Sequence, residues 1–421
     1  MADVDHGWPA RRNERSVVID RFGDRCADVA ARALRTGDPL ADAVIAEMDE
    51  RGSIVARQLM VGLAHGLSSI ETPTPAIDAL LHDVEAIPDR VDPDVIDRGQ
   101  RPYFTVPDVV HTLSLSTAAL GGGFAAGNIA DTLAVTSRLI TDAQQRLTED
   151  GKWLTMAMLP GSLRPGSGGY VATVQVRIHH ARIRRRARRQ GFDEAANGAP
   201  INQLDLAGTW LAFTHRTFRA EDALGYGLTE DEQATAYGYW QHLAHLLGIE
   251  PTLIGTITSN AEAATVDELI WTCMGPPTPS SRALTRATID AMAEAVHDAV
   301  HLPAVSGRHI LEALLRRFNG DAIADSLQVP RRPDTNLLID GVVNVTRRHR
   351  EHVRKHADAW EQMIEHNLDL ARASLGTYDA VDAEYETATR TEASTTSPRS
   401  RSTTSADRAP DDRQPLPDPG S

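Results

Sequence analysis

Tyr170–Gln190 reads YVATVQVRIHHARIRRRARRQ, and this stretch is the best guide to the fold. Its small and apolar residues recur three and four positions apart, which predicts an α-helix with one buried face. Arg177 and Arg184 lie one turn before and one turn after His180, so these three side chains share roughly one face. His179 points about 100° away from His180. The stretch therefore predicts a helix that carries one histidine between two arginines.

The chemistry of this face is open to three interpretations. Because the stretch contains no acidic residue, a neutral His180 imidazole is suited to bind iron, and the arginines are suited to hold carboxylates of a ligand. A haem offers both an iron and two propionates. The six arginines of Arg182–Arg189 are also typical of a solvated helix end. A third possibility is an anion-binding surface for nucleic acid or lipid head groups.

The rest of the chain is predicted to be helical as well. Apolar residues three and four apart predict helices in the segments Pro39–Glu50, Ser53–Gly66, Thr74–Glu85 and Ile129–Leu147. Residues typical of helix starts occur at Asp38-Pro39, Thr74-Pro75 and Thr229. No long alternation typical of a strand is present, and Asp340–Thr346 is compatible with a short strand or a helix start. We therefore predict an all-α fold.

The net charge is acidic but unevenly distributed. The chain has 421 residues, with 43 basic and 58 acidic side chains and a formal charge of −15, which argues against a general nucleic-acid-binding protein. Residues 151–192 contain nine cations and no acid, which leaves −24 for the rest of the chain. Cys26 and Cys273 are too few for a disulfide framework or a four-cysteine zinc site. No membrane-length apolar run or secretory signal is visible, so we expect a cytoplasmic protein without a transmembrane segment.

Composition predicts one folded domain between two tails. We expect a flexible lead-in over residues 1–15, a single all-helical domain over 16–386, and a disordered tail over 387–421. The tail is rich in Ser, Thr, Pro and Asp and has almost no large apolar residues, so burial cannot offset the entropy of ordering it. Two glycine-rich stretches, residues 118–127 and 160–169, match neither a Walker A nor a Rossmann phosphate loop.

Three further histidine pairs have the spacing that metals use on helices. They are His242 with His245, His297 with His301, and His349 with His352. None includes a carboxylate that would make the site distinctive, so ordinary polar helix faces are the simpler interpretation. A non-haem metal enzyme remains a second candidate class.

Several motifs resemble a known family. Arg177-x-x-His180-x-x-x-Arg184 is followed by Pro200–Phe213, PINQLDLAGTWLAF, and by Tyr239–Pro251, YWQHLAHLLGIEP. Together with an upstream arginine and an Arg-Pro-Gly segment, these motifs resemble the mpaB-type oxygenases and the latex-clearing (rubber) oxygenases. The resemblance covers about residues 100–320 of this chain.

The resemblance implies an all-helical, globin-like core that binds haem b. It also implies a dioxygen-dependent oxidoreductase that acts on a small apolar, unsaturated or isoprenoid-like substrate. By this resemblance His180 is the proximal ligand of the haem iron, and Arg177 and Arg184 orient or support the haem. Arg146 matches a distal-side arginine and is the expected catalytic residue. No nucleic-acid partner is expected.

Two more expected cofactor-supporting residues are Asp205 and Thr209, in the segment that follows the histidine helix. Asp205 is also a candidate acceptor for the second ring N–H of His180, because a proximal histidine normally donates that proton to a neighbouring group. The chain departs from the rubber oxygenases after Arg146, where their lysine and threonine are absent and the sequence reads Leu-Thr-Glu-Asp. Their glutamate base has only a rough counterpart here, Asp131. The alternatives to a haem enzyme are an anion-binding protein that uses Arg182–Arg189, or a non-haem metal enzyme.

Overall fold

The computed structural model describes residues 7–134, 143–300 and 303–376, with the side chains of 298–300 left out. Within these ranges the regular structure is helical and no strand occurs, which confirms the prediction of an all-α fold. All of them fall within one compact unit. The predicted tail over 387–421 lies outside the described residues.

The helices of the first half of the described chain lead up to the histidine helix. In chain order they are α1 (Arg15–Phe22), α2 (Asp24–Ala33), α3 (Pro39–Arg51), α4 (Ser53–His65), α5 (Pro75–Glu85), α6 (Pro93–Arg98), α7 (Asp108–Ser114), α8 (Gly121–Phe124), α9 (Gly127–Ala134), α10 (Ala143–Met158) and α11 (Gly168–Arg189). A π-helical turn, Leu115–Leu120, joins α7 to α8.

The second half continues the helical pattern. Its helices are α12 (Glu194–Asn197), α13 (Gln203–Leu211), α14 (Thr217–Ala223), α15 (Glu230–Leu246), α16 (Pro251–Ile254), α17 (Asn260–Cys273), α18 (Pro279–Val300), α19 (Ala304–Ser326), α20 (Pro333–Arg354) and α21 (Ala357–Leu375). A second π-helical turn, Ala212–Arg216, joins α13 to α14.

The sequence signals for helix starts agree with the structure. The Asp38 carboxylate accepts a hydrogen bond from the Ala41 N–H and caps α3. Thr229 and Glu232 form a capping box, in which each side chain bonds the backbone N–H of the other residue, at the start of α15. The segment Asp340–Thr346, which was compatible with a strand or a helix, lies inside α20. The segment predicted over 129–147 begins in α9 and ends in α10, and residues 135–142 between them lie outside the described residues.

Helix α11 lies in the core and carries the sequence that predicted the fold. It is 22 residues long and packs against α3, α4, α10 and α15. Its buried side chains include Tyr170, Val174, Ile178 and Ala181, which recur every three or four residues as the pattern predicted. Burial of this apolar face stabilises the helix and fixes its rotation about its own axis.

No single described helix is long and apolar enough to cross a membrane. The segments Asp108–Phe124 and Gly127–Ala134 meet the length and composition criteria only as a pair, and they are bent by 101° with respect to each other.

The N-terminal segment, predicted as a flexible lead-in, is described from residue 7 onward and contains a buried contact. Nη1 and Nη2 of Arg12 each donate to one oxygen of Asp205, both at 2.8 Å. Nε and Nη2 of Arg12 also donate to the carbonyl oxygen of Asn197. The Arg12 side chain is 1% exposed. No local sequence pattern indicates that this arginine holds the segment against α13.

Replacement of Arg12 by Met is expected to lower the free energy of unfolding by about 3 kcal/mol, because it leaves the Asp205 carboxylate buried without its cation. Urea denaturation followed by circular dichroism measures the change. Arg11 is the matched control: its side chain is 64% exposed, and Arg11→Met is expected to change stability by no more than about 0.5 kcal/mol. Equal stability of the two variants would contradict a buried role for Arg12.

Candidate functional site

His180 is half-buried on α11 and differs chemically from the charged residues around it. Its Nδ1 atom is enclosed by protein and has no hydrogen-bond partner among the described residues. Burial lowers the pKa of His180 to about 3, and the nearby charges of His179, Arg184 and Arg146 act in the same direction. The ring is therefore a neutral imidazole at neutral pH, which is the form that binds a metal.

Arg177, one turn before His180, is held by two carboxylates from other helices. Its Nε donates to Asp38 at 2.7 Å, and its Nη1 donates to Asp83 at 2.8 Å. Gly248 permits this arrangement, because a Cβ atom there would lie 2.3 Å from a carboxylate oxygen of Asp38 and 2.4 Å from Nε of Arg177. The φ of Gly248 is also +73°, a conformation that glycine adopts easily.

Arg184, one turn after His180, is fully buried and keeps one unused donor. Its Nε donates to Asp42 at 2.7 Å, and its Nη1 donates to the carbonyl oxygen of Ile201 at 3.4 Å. Its Nη2 is enclosed, and no residue in the described part of the chain forms a hydrogen bond with it. From the sequence we expected a ligand to supply the carboxylates that pair with Arg177 and Arg184. In the structure, Asp38, Asp83 and Asp42 supply them, and Nη2 of Arg184 is the nitrogen that remains without an acceptor among the described residues.

The remaining arginines of Arg182–Arg189 are also largely engaged. Arg185 and Arg189 pair with Asp49 at the end of α3, and Arg188 pairs with Glu194. Most arginines of this basic cluster are therefore paired with carboxylates that lie outside helix α11. A surface whose cations are already paired attracts phosphate less strongly, so the structure does not favour the interpretation as an anion-binding surface.

Arg146, the expected catalytic residue, lies on α10, close enough to His180 for its charge to help lower the pKa of that ring. Its guanidinium group contacts Glu149 at 3.7 Å and Asp150 at 2.9 Å on the same helix. These acids stand just where the sequence departs from the rubber oxygenases, and they partly neutralise Arg146. Helices α10 and α11 pack side by side, and Nε1 of Trp153 donates to the Thr173 hydroxyl at 3.3 Å, two turns before His180.

Asp205 and Thr209 take part in the packing of α13. The Asp205 carboxylate accepts from Arg12, Asn128 and Asn202, and it is not hydrogen-bonded to His180. The Thr209 side chain is exposed, and its hydroxyl donates to the backbone carbonyl of Asp205. The predicted roles of both residues toward a cofactor stay predictions.

The Asn-Gln-Leu-Asp segment connects the start of α13 to two loops. Asn202 caps α13 by accepting from the N–H of Asp205. The Gln203 side chain donates to the carbonyl oxygens of Gly37 and Gly248 and accepts from the N–H of Glu250. This segment therefore holds the loops around the Arg177 and Arg184 ion pairs.

The other candidate residues lie in ordinary polar surroundings. Asp131 accepts from the Thr278 hydroxyl. The His245 ring bonds the carbonyl oxygen of Asp83, and the rings of His242 and His245 have centroids 6.4 Å apart. Among the described residues, no three His, Cys, Asp or Glu side chains lie together in a way that could hold a metal ion. His301 lies outside the described residues.

Sequence reasoning missed a buried pair, His111 and Glu221, that lines a narrow cavity. Nδ1 of His111 lies 2.6 Å from a Glu221 oxygen, and Nε2 lies 2.9 Å from the carbonyl oxygen of Tyr103. The walls of the cavity are mostly apolar and include Phe213 and Trp240. Because 110 residues separate the histidine from the glutamate, no local pattern could have revealed the pair.

Comparison with known proteins identifies the family to which this chain belongs. The family described as "ER-bound oxygenase mpaB/B'/Rubber oxygenase, catalytic domain" matches residues 111–348. The match covers more than half of the chain, so the protein belongs to this family of oxygenase catalytic domains. The resemblance inferred from the motifs over residues 100–320 is confirmed. A search of curated proteins found no match.

A solved structure shares the fold. "Structure of Latex Clearing Protein LCP in the closed state" matches with a TM-score of 0.60 and 17% sequence identity, over 80% of this chain and 91% of that chain. At this low identity the match shows a common all-helical fold.

Replacement of Arg177 by Met is expected to destabilise the protein even without a ligand, by about 3 kcal/mol, because it leaves the buried Asp38 carboxylate unpaired. Thermal and urea unfolding of the ligand-free protein measure this loss. Arg186, an exposed arginine on the same helix, is the matched control, and Arg186→Met is expected to have little effect. Unchanged stability of the Arg177 variant would indicate that this arginine serves a ligand rather than the fold.

The pair of His111 and Glu221 predicts a pH-dependent contribution to stability. Burial favours the neutral His111 ring, but the Glu221 carboxylate and the Tyr103 carbonyl outweigh it and raise the pKa of His111. Because the pKa of His111 is higher in the folded than in the unfolded protein, the protonated ring stabilises the fold. This contribution to the free energy of unfolding is complete below the pKa of the unfolded state, about 6.5, and is lost as pH rises through the pKa of the folded state.

Unfolding free energies of the wild type and His111→Gln should therefore differ most near pH 6, and the difference should shrink as pH rises above about 6.5. Urea titrations across this range measure the difference. His65→Gln, on an exposed histidine of α4, should follow the wild-type curve. A difference that grows with pH would show that His111 is neutral in the folded protein.

Proposed function

We propose that the protein is a haem b-dependent oxidoreductase that uses dioxygen to oxidise an apolar, unsaturated or isoprenoid-like substrate. Membership of a family of oxygenase catalytic domains supports the reaction class. The main support for haem as the cofactor comes from His180. Its ring is a neutral imidazole, and its enclosed Nδ1 has no hydrogen-bond partner among the described residues, although most arginines of the same helix are paired.

The residues around His180 fit haem better than a bare metal ion. A porphyrin brings four ligands of its own, so haem needs a single side chain from the protein. A bare ion would need several, and among the described residues no cluster of three suitable side chains occurs. The enclosed Nη2 of Arg184 adds an unpaired donor close to His180, which suits an anionic propionate.

In this proposal His180 would bind the iron, and Arg184 would donate from Nη2 to a propionate. Bound haem would supply the iron that activates dioxygen. Arg177 keeps α11 in position through Asp38 and Asp83, and all three of its guanidinium nitrogens already donate to these carboxylates. Arg146 would be the catalytic residue, and its pairing with Glu149 and Asp150 leaves a site with less positive charge than an unpaired arginine would create.

An apolar substrate agrees with an apolar cavity that His180 does not line but that connects to the histidine helix through Phe213 and Trp153. The narrow cavity next to Phe213 has mostly apolar walls, and Phe213 packs edge-on against Trp153 with ring centroids 6.3 Å apart. Trp153 in turn bonds Thr173 on the histidine helix. The names of the family and of the similar structure, rubber oxygenase and latex clearing protein, support an unsaturated isoprenoid as the chemical class.

The purified protein is expected to show a Soret absorption band, or to acquire one on addition of haemin. His180→Ala should lose this band because it removes the iron ligand, whereas His179→Ala should keep it because its ring points to another side of the helix. Absorption spectra and a pyridine haemochrome assay measure the bound haem. A wild-type protein that binds no haemin, or a His180→Ala variant that binds it equally well, would overturn the cofactor assignment.

Substrate class is tested separately by oxygen uptake. The haem-loaded protein should consume dioxygen with squalene, an unsaturated isoprenoid, and not with squalane, its saturated counterpart. Equal uptake with both compounds would contradict oxidation at a double bond, while the haem assignment would remain unaffected.

A further inference from the structure

Helix α20 presents an apolar face to solvent near the C-terminal end of the described chain. Four large apolar side chains on it are mostly exposed: Leu337 72%, Leu338 72%, Val342 66% and Val345 68%. Leu338, Val342 and Val345 are spaced four and three residues apart, which places them on one side of the helix, and Leu337 flanks them. Scattered exposed apolar residues are normal on a protein surface, but a contiguous set on one helix face is typical of an interaction site.

The opposite side of α20 is firmly anchored, so this exposure does not result from a loosely placed helix. Val343 and Arg350 are 5% and 6% exposed. Arg350 donates to the hydroxyl of Thr105 at 3.1 Å, and its guanidinium group lies over the ring of Trp360 at 4.9 Å. With this side fixed against the domain, the apolar face must point outward.

The charges at the two ends of the apolar face are opposite in sign. Asp334 lies at its N-terminal end, and Arg348 and His349 lie at its C-terminal end, all exposed. None of these three forms an ion pair with another residue in the described part of the chain. Between the two ends, Gly341 has open space where a Cβ would stand, which allows another helix to approach closely.

The apolar face of α20, with its oppositely charged ends, is complementary to a second copy of the same face in antiparallel orientation. If two copies of α20 cross in antiparallel orientation about Gly341 and Val342, Leu338 of one copy faces Val345 of the other. Asp334 then lies beside the Arg348 of the partner, twice by symmetry. A two-fold axis produces this isologous contact, the commonest arrangement of homo-oligomers. An anionic membrane, by contrast, would be repelled by the acidic end.

We propose that the protein forms a symmetric dimer through the apolar face of α20, with a second copy of the chain as the occupant. Apolar burial between the copies provides affinity, and the reciprocal contacts of Asp334 with Arg348 set the antiparallel orientation. The proposal does not depend on the haem or on the catalysed reaction.

Sedimentation velocity of the full-length protein over a range of concentrations tests the dimer. The wild type should show a monomer–dimer equilibrium, and Leu338→Glu should raise the dissociation constant about tenfold or more because it buries an unpaired charge. Ile54→Glu is the matched control, since Ile54 is 57% exposed on α4, and it should leave the equilibrium unchanged. Circular dichroism confirms that each variant is folded.

Charge exchange tests the orientation and the identity of the partner. Asp334→Arg and Arg348→Asp should each weaken the dimer, and the double variant should restore it. A wild type that is monomeric at every concentration, or a dimer unaffected by Leu338→Glu, would overturn the proposal. Stronger binding of Asp334→Arg to phosphatidylserine vesicles, together with a monomeric wild type, would identify a membrane surface as the occupant instead.

Discussion

The architecture depends on how carboxylates from other parts of the chain pair with the arginines of helix α11. The helix carries seven arginines and no acidic residue. Two of them, Arg177 and Arg184, are buried, which is costly unless carboxylates pair with them. Helix α3 and the residue before it provide most of these groups, through Asp38, Asp42 and Asp49. The position of α3 against α11 is therefore set by charge pairing as much as by apolar packing.

The loops next to these ion pairs contain residues that make room for them or hold them in place. Gly248 leaves room for the pair of Arg177 and Asp38, and Gln203 ties the loops at Gly37 and Gly248 together. The family motif that follows the histidine helix thus has a structural function in this chain. With its neighbours satisfied in this way, His180 is left as a neutral ring, which is the form that binds a metal.

Much of the fold could be predicted from local patterns, and less of the site. The helices α3, α4, α5 and α11 were visible because periodicity and capping act within a few residues. The same reasoning placed Arg177, His180 and Arg184 on one face. It assigned the carboxylate partners of the arginines to a ligand, since the acids of α3 and α5 are about 90 to 140 residues away in sequence.

The sequence by itself determined the all-helical class, the face that bears His180 and the family motifs, because each depends on residue spacing along one helix or one short segment. Only the tertiary structure decided which charges are paired, that Arg12 is buried against Asp205, that His111 meets Glu221, and that one side of α20 stays exposed. The physical reason is that burial and charge pairing depend on contacts between distant segments, and these contacts exist only once the helices have packed.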